Sequence, residues 1–190
     1  MKFMDILGHC RPKYWIMEEV KNVAHVTNLG RLVKNDLHLK PGEYRLIKHQ
    51  EIHFIKACDH GYPHIRKRLF AGHYPRLKPT RKVKPRVKTP IAQARGYYHG
   101  KKDHVRVLKQ LRGLIQESDR QDLKRSEIMK NPIHPDVWKW LMSFPRDYVV
   151  CGSKQQQFEQ IGNAVMPAIS KLLYNKVKRN ERVQVQRRLW

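Results

Sequence analysis

Carboxylates, cysteines and long apolar runs are all scarce in this chain of 190 residues. Asp and Glu number 16 against 40 Lys and Arg, a formal charge of +24. A compact protein bears such self-repulsion poorly unless a polyanion neutralises it. Nucleic acid is the first candidate, and an anionic membrane surface is the second. The second is weakened because no apolar run approaches the roughly 20 residues of a spanning helix. The first residues also lack the apolar core of a signal peptide: residues 4–7 are too short and run at once into polar and basic residues. Cys10, Cys58 and Cys151 are an odd number without C-x-x-C spacing, which argues against a disulfide framework or a zinc site. The 11 histidines are scattered without companion carboxylates at ligand spacing, so no metal is expected. A reduced, cytoplasmic protein without a membrane anchor is the resulting expectation.

What is present supports a core, because 40% of the residues are hydrophobic. The length suits one domain, or one with a small appendage. Phe3, Ile6 and Leu7 recur at helical spacing, and Arg11-Pro12 stops that short helix. Tyr14-Trp15-Ile16-Met17 is a continuous apolar run, which predicts a strand buried on both faces, as in a parallel sheet. It ends in Glu18-Glu19. Open α/β sheets place their chemistry at the carboxyl ends of strands, although two solvated charges after a strand would read the same way. Alternation predicts further strands at 44–48, 52–57 and 67–71. Val105, Leu108, Leu111 and Ile115 predict a helix over 104–117, and Pro135 begins another, with Val137, Trp138, Leu141 and Met142 as its apolar positions. Phe144-Pro145 ends it. Ala164, Ile169, Leu172, Leu173 and Val177 form the stripe of a last helix, whose basic run from Lys176 to Arg188 is expected to fray. The fold class is α/β.

The stretch from Ala57 to Phe70 is the most informative. Gly61 and Pro63 punctuate a turn, and His64, Arg66 and Arg68 alternate along an expected strand, which puts all three on one face. Such a face suits an anion or a base edge, or is merely a solvated basic edge strand. Between Asp59 and Asp103 no acidic residue occurs, while thirteen Lys and Arg do, among them Arg81, Lys82, Lys84 and Arg86. Tyr74, Tyr97 and Tyr98 are interleaved. Cations neutralise phosphates and aromatic rings stack on bases, so this interval reads as nucleic-acid contact rather than a disordered basic linker.

Three separated segments then resemble the DNA cytosine-5 methyltransferases. Ile16-Met17-Glu18-Glu19-Val20 is similar to that family's strand ending in Glu-Asn-Val. Gly61-Tyr62-Pro63-His64-Ile65-Arg66-Lys67-Arg68 resembles its Gly-Val-Pro-Gln-x-Arg-x-Arg segment. Phe144-Pro145-Arg146-Asp147-Tyr148, Gly152-Ser153-Lys154 and Gln160-Ile161-Gly162-Asn163-Ala164-Val165-Met166-Pro167 resemble its closing motifs. The part left unmatched, roughly 73–133, falls where the family keeps its variable target-recognition region. The resemblance implies part of a Rossmann-like, S-adenosylmethionine-dependent sheet. Residues 1–72 would be the second half of the catalytic domain, 73–133 a basic target-recognition region, and 134–190 the closing segment with its helix and basic tail.

In that family a cysteine thiolate adds to carbon 6 of a cytosine flipped out of duplex DNA, and carbon 5 then takes a methyl group from S-adenosylmethionine. The resemblance makes Glu18 the general acid at ring nitrogen 3. It makes Arg66, Arg68 and His64 the support of the flipped nucleotide, and Gly162, Asn163, Ala164 and Val165 the turn that closes the cofactor pocket. Arg81, Lys82, Lys84 and Arg86 fall in the implied DNA-binding surface. Glu19 stands where the family has Asn, which is expected to put a second negative charge beside the acid. His64 replaces Gln and Met166 replaces Pro. The glycine-rich cofactor loop and the Pro-Cys nucleophile are expected before Glu18. The seventeen residues there contain neither, and none of the three cysteines follows a proline. The chain is therefore expected to be the C-terminal part of a split or truncated cytosine-5 methyltransferase that works with a separate N-terminal chain, or else an inactive DNA-binding remnant. The biological role, in restriction, self-protection or neither, stays open, as does the DNA sequence recognised.

Overall fold

The computed structural model describes residues 6–7, 9–10, 12–19, 51–87, 101–124 and 134–188. Among the described residues are helical turns at 6–7 and 9–10, where the short first helix was expected, the strands β1 (Trp15–Glu19), β2 (Glu51–Lys56) and β3 (Lys67–His73), and four longer helices. These are α1 (Lys101–Glu117), α2 (Pro135–Leu141), α3 (Lys154–Asn163) and α4 (Pro167–Arg188). The class is mixed α/β, as expected. The strands at 52–57 and 67–71 and the helices at 104–117 and 135 onward lie where hydrophobic spacing put them. The expected strand at 44–48 lies outside the described residues. No helix among the described residues is long and apolar enough to cross a membrane.

The sheet has the order β1-β3-β2, and β1 runs antiparallel to β3. This corrects the parallel arrangement inferred from the apolar run at Tyr14–Met17. Only Trp15 of β1 is buried, and Ile16 to Glu19 are half-buried. A short apolar run shows that a strand is covered but does not show the direction of its neighbour.

Contacts divide the chain into two units, one of Met1–Ile55, Lys67–Lys78 and Leu172–Trp190, the other of Lys56–Arg66 and Pro79–Lys171. In the first, the register pairs Trp15 with His73, Met17 with Ala71 and Glu19 with Leu69, which sets these side chains on one face. Buried Leu69 and Ala71 pack there against Met17. Ile16 and Glu18, opposite Gly72 and Phe70, occupy the other face. The later part of α4 joins this unit: Asn180 Nδ2 donates to the Tyr14 hydroxyl at 3.4 Å, and Glu181 pairs with Lys13 at 3.4 Å. In the second unit Leu111 and Ile115 of α1, Val137, Trp138 and Leu141 of α2, and Phe158 and Ile161 of α3 are buried. The Trp138 and Phe158 rings meet edge to face at 6.2 Å and fasten α2 to α3.

Helix α3 was not expected from hydrophobic spacing. Its run Lys-Gln-Gln-Gln-Phe-Glu-Gln-Ile-Gly-Asn carries only two large apolar residues. Its start is nevertheless written in the sequence. Ser153 accepts from the Gln156 N–H, and the Gln156 side chain returns to the Ser153 N–H at 2.8 Å, a capping box. Helix α4 begins at Pro167, not at Ala164, because proline fits the first helical position. It stays helical to Arg188, which corrects the expectation of a frayed basic tail.

Gly72 is a required close approach. A Cβ built there would lie 2.1 Å from the Trp15 carbonyl oxygen, a backbone atom that cannot swing aside. Gly72→Ala should therefore push β1 off β3, and a loss of about 2 kcal/mol or more is expected in chemical denaturation, against under 0.5 kcal/mol for a surface control.

Candidate functional site

Residues 57–66 form a closed loop. A 3-10 turn at Ala57–Asp59 leads into Gly61, whose φ of +94° is the left-handed conformation glycine adopts without strain. The Ala57 N–H donates to the Arg66 carbonyl at 2.9 Å and shuts the loop. β3 starts at Lys67. His64 and Arg66 are off the strand, which corrects the expectation of three side chains alternating on one strand face. Backbone pairing in the loop goes to the basic segment instead: the N–H groups of Arg86 and Val87 donate to the Pro63 carbonyl at 2.9 and 3.0 Å, and those of Thr80 and Arg81 to the Asp59 carbonyl at 3.1 and 3.2 Å.

His64 and Arg66 are interior residues, 0% and 2% exposed. His64 Nε2–H donates to the Leu141 carbonyl at 2.9 Å, while its Nδ1 accepts the Arg66 backbone N–H at 3.3 Å. That pair of bonds fixes the neutral tautomer. Burial, opposed by the bond to Leu141 and reinforced by the Arg66 charge, depresses the His64 pKa to about 4. Arg66 donates from Nη1 to the Gly162 carbonyl and from Nη2 to the Ala164 carbonyl, both at 2.7 Å. Leu141 ends α2, and Gly162 and Ala164 lie at the end of α3, where a helix leaves its last carbonyls without intrahelical donors. The loop thus supplies those donors at two helix ends, and the guanidinium also opposes the negative end of the α3 dipole.

Glu18 and Arg68 meet across the sheet. Glu18 stands opposite Phe70, so Arg68, two residues earlier on β3, is its diagonal neighbour on the same face. Arg68 Nε lies 3.1 Å from Glu18 Oε1, with the side chains 12% and 15% exposed respectively. Burial lowers the Arg68 pKa from its ordinary value, and the Glu18 carboxylate pulls it back. Arg68 Nη1 also donates to the Lys67 carbonyl at 3.2 Å. Glu19 points to the opposite face, toward Leu69. The expected second charge beside Glu18 is therefore not there, because consecutive residues of a strand face opposite ways.

The closing motif forms the end of α3 and the turn into α4. Gly162 is buried and Ala164 half-buried, while Asn163 and Val165 expose their side chains. Arg81, Lys82, Lys84 and Arg86 are all exposed on the segment tied to the loop, and Arg86 is ion-paired with Glu117. Of the cysteines, Cys58 is buried and Cys10 and Cys151 are exposed, all three as free thiols. Sequence reading missed the use of His64 and Arg66 as helix-end donors, and also α3 itself. The signal for the helix was the Ser153–Gln156 spacing. For the two donors there was none, since their acceptors lie 77 to 98 residues away.

The model of the family described as C-5 cytosine-specific DNA methylase matches residues 73–179, more than half of the chain. The match includes the closing motif and extends through the basic region that motif comparison left unmatched. It does not reach Glu18 or the 61–68 segment. No curated protein matches the chain significantly.

Two outcomes follow from the buried donors. An unfolded histidine binds a proton below about pH 6.5, while folded His64 does so only below about 4. The unfolded state therefore gains protons as pH falls through that window, and stability is lost there, by about 3 kcal/mol in full. His64→Gln keeps a donor without a titrating group. Its midpoint in thermal melts should be less sensitive than wild type between pH 6.5 and 4. Arg66→Lys cannot fork to two carbonyls and should cost about 1–3 kcal/mol in urea unfolding, with Arg66→Met worse.

Proposed function

From the family to which this chain belongs, the C-5 cytosine-specific DNA methylases, we propose that it is the acid-bearing and DNA-contacting part of an enzyme that methylates carbon 5 of cytosine in duplex DNA. The observation that carries this reading is the family match over residues 73–179. In this proposal residues 1–72 belong to the catalytic domain, 73–133 to target recognition and 134–190 to its closing segment. The three strands belong to a larger Rossmann-like sheet, a kind of sheet that tolerates an antiparallel member.

Glu18 is the proposed general acid at nitrogen 3 of the flipped cytosine: its pairing with Arg68 holds the carboxylate in one orientation, and it takes up a proton from solvent before passing it to the ring. Arg68 contacts the target nucleotide. His64 and Arg66 act on it through the backbone they fix, because their side chains are buried and engaged with carbonyls. The turn after α3 fits S-adenosylmethionine in kind: Asn163 offers an exposed amide, Val165 an apolar group, and Gly162 and Ala164 little side chain to obstruct it. When bound, that cofactor supplies the methyl group. Arg81, Lys82, Lys84 and Arg86 are proposed to contact phosphates. No cysteine here follows a proline. The nucleophile and the glycine-rich loop are therefore proposed to come from a complementary N-terminal half, with the reaction taking place in a cytoplasmic setting.

The test is transfer of labelled methyl groups from S-adenosylmethionine to cytosine-containing duplex, with and without a half carrying that loop and a Pro-Cys pair. Transfer is expected only with both parts. Glu18→Gln should lower it about 100-fold or more while DNA binding survives, and Glu19→Gln, on the other sheet face, should leave it intact. Transfer by the chain alone, abolished by changing one of its own cysteines, would overturn the split assignment. Absence of transfer with any supplied half would leave a DNA-binding remnant.

A further inference from the structure

The basic run after Lys176, which the proposed DNA surface at 81–86 does not include, is an ordered helix face. Along α4, Leu173 is buried and Asn180 turns inward to Tyr14. Tyr174, Lys178, Arg179 and Arg182 are exposed. At 3.6 residues per turn, Tyr174, Lys178 and Arg182 succeed one another at intervals of four, and Arg179 flanks them, so they share the side away from Leu173. Lys178 Nζ sits 5.1 Å from the Tyr174 ring centroid.

The only acidic residue between Pro167 and Arg188 is Glu181, and it is paired with Lys13. Among the described residues Lys178, Arg179 and Arg182 take part in no ion pair with a carboxylate. The helix dipole does not account for them, because its effect falls off within the last turn and Arg182 is six residues before Arg188. Three concentrated cations on a rigid face, without a counter-charge, in a chain of net charge +24, call for a polyanion. A lipid surface would need apolar side chains on the same face to enter it. This face has only Tyr174.

We propose that the Tyr174–Arg182 face of α4 is a second phosphate-contacting surface for duplex DNA, made of other residues than 81–86. This rests on the reading that the chain acts on DNA. Lys178 and Arg182 are separated by a rise of about 6 Å along the helix axis, a fixed spacing that a mobile tail could not hold. The surface reads no sequence. It adds affinity and orientation alike for all duplexes.

The experiment is fluorescence anisotropy of the full chain on a labelled 30-base-pair duplex across a salt series. Each phosphate contact contributes about 0.9 to the slope of log affinity against log salt. Lys178→Gln alone should lower the slope by about one, and Lys178→Gln/Arg179→Gln/Arg182→Gln together by about two to three, equally on unrelated duplexes. Circular dichroism should be unchanged, because these side chains face outward. Reversal of Arg81, Lys82, Lys84 and Arg86 to Glu should lower affinity in addition to the triple change. A wild-type slope retained by both α4 variants, with salt-dependent binding otherwise intact, overturns this surface and leaves the proposed function standing. Failure of the wild-type chain to bind duplex overturns both. Binding of phosphatidylserine vesicles but not DNA, lost in the triple variant, overturns the DNA assignment in favour of lipid.

Discussion

The bonds from Arg66 to the Gly162 and Ala164 carbonyls are the constraint on which the second unit depends. A guanidinium at 2% exposure can stay charged in the interior only if its donors are met, and the end of α3 presents carbonyls that need donors. Each group satisfies the other's requirement. His64 does the same for the end of α2 with a neutral ring, so no second buried charge is needed beside the first. The loop at 57–66, the ends of α2 and α3 and the basic segment at 79–87 are thus parts of one hydrogen-bonded arrangement.

Two residues further on, the same chain does different work. Arg68 is on a strand, and the register of β1 against β3 brings it to Glu18. Here geometry comes from strand pairing, with Gly72 allowing the close approach of β1. The ion pair, made between partly buried side chains on a sheet, holds the Glu18 carboxyl in one orientation, which the proposed acid role requires. Arg66 and Arg68 look interchangeable in the sequence. One is a structural donor and the other faces a carboxylate.

Much of this was legible in the residues, and the failures have physical causes. Helices α1 and α2 and strands β2 and β3 follow from hydrophobic period, although β3 buries Phe70 on one face as well as Leu69 and Ala71 on the other. The direction of β1 did not follow, since an apolar run is the same read against a parallel or an antiparallel neighbour. His64, Arg66 and Arg68 were expected to share a face. Period-two alternation was visible, but the bonds that tie His64 and Arg66 to carbonyls at the ends of α2 and α3 were not. Adjacency makes Glu18 and Glu19 read as neighbouring charges, but β1 runs on through both and turns them to opposite faces. Helix α3 could have been found from its capping box, while hydrophobic content hid it.

The scarcity of acidic residues acquires a structural meaning once their positions are known. Glu18 pairs with Arg68, Glu117 with Arg86, Asp122 with Arg120, Asp136 with Lys139 at 2.8 Å, and Glu181 with Lys13. These carboxylates are engaged within the fold, leaving Arg81, Lys82, Lys84, Lys178, Arg179 and Arg182 without acidic neighbours at ion-pair distance among the described residues. Repulsion among such cations opposes the compact state, and a bound polyanion removes that repulsion while binding the folded form. Under the proposed DNA-binding reading, stability and DNA affinity are coupled through the same side chains, and salt acts on them in opposite directions. It screens the repulsion and so favours folding, yet it weakens every phosphate contact.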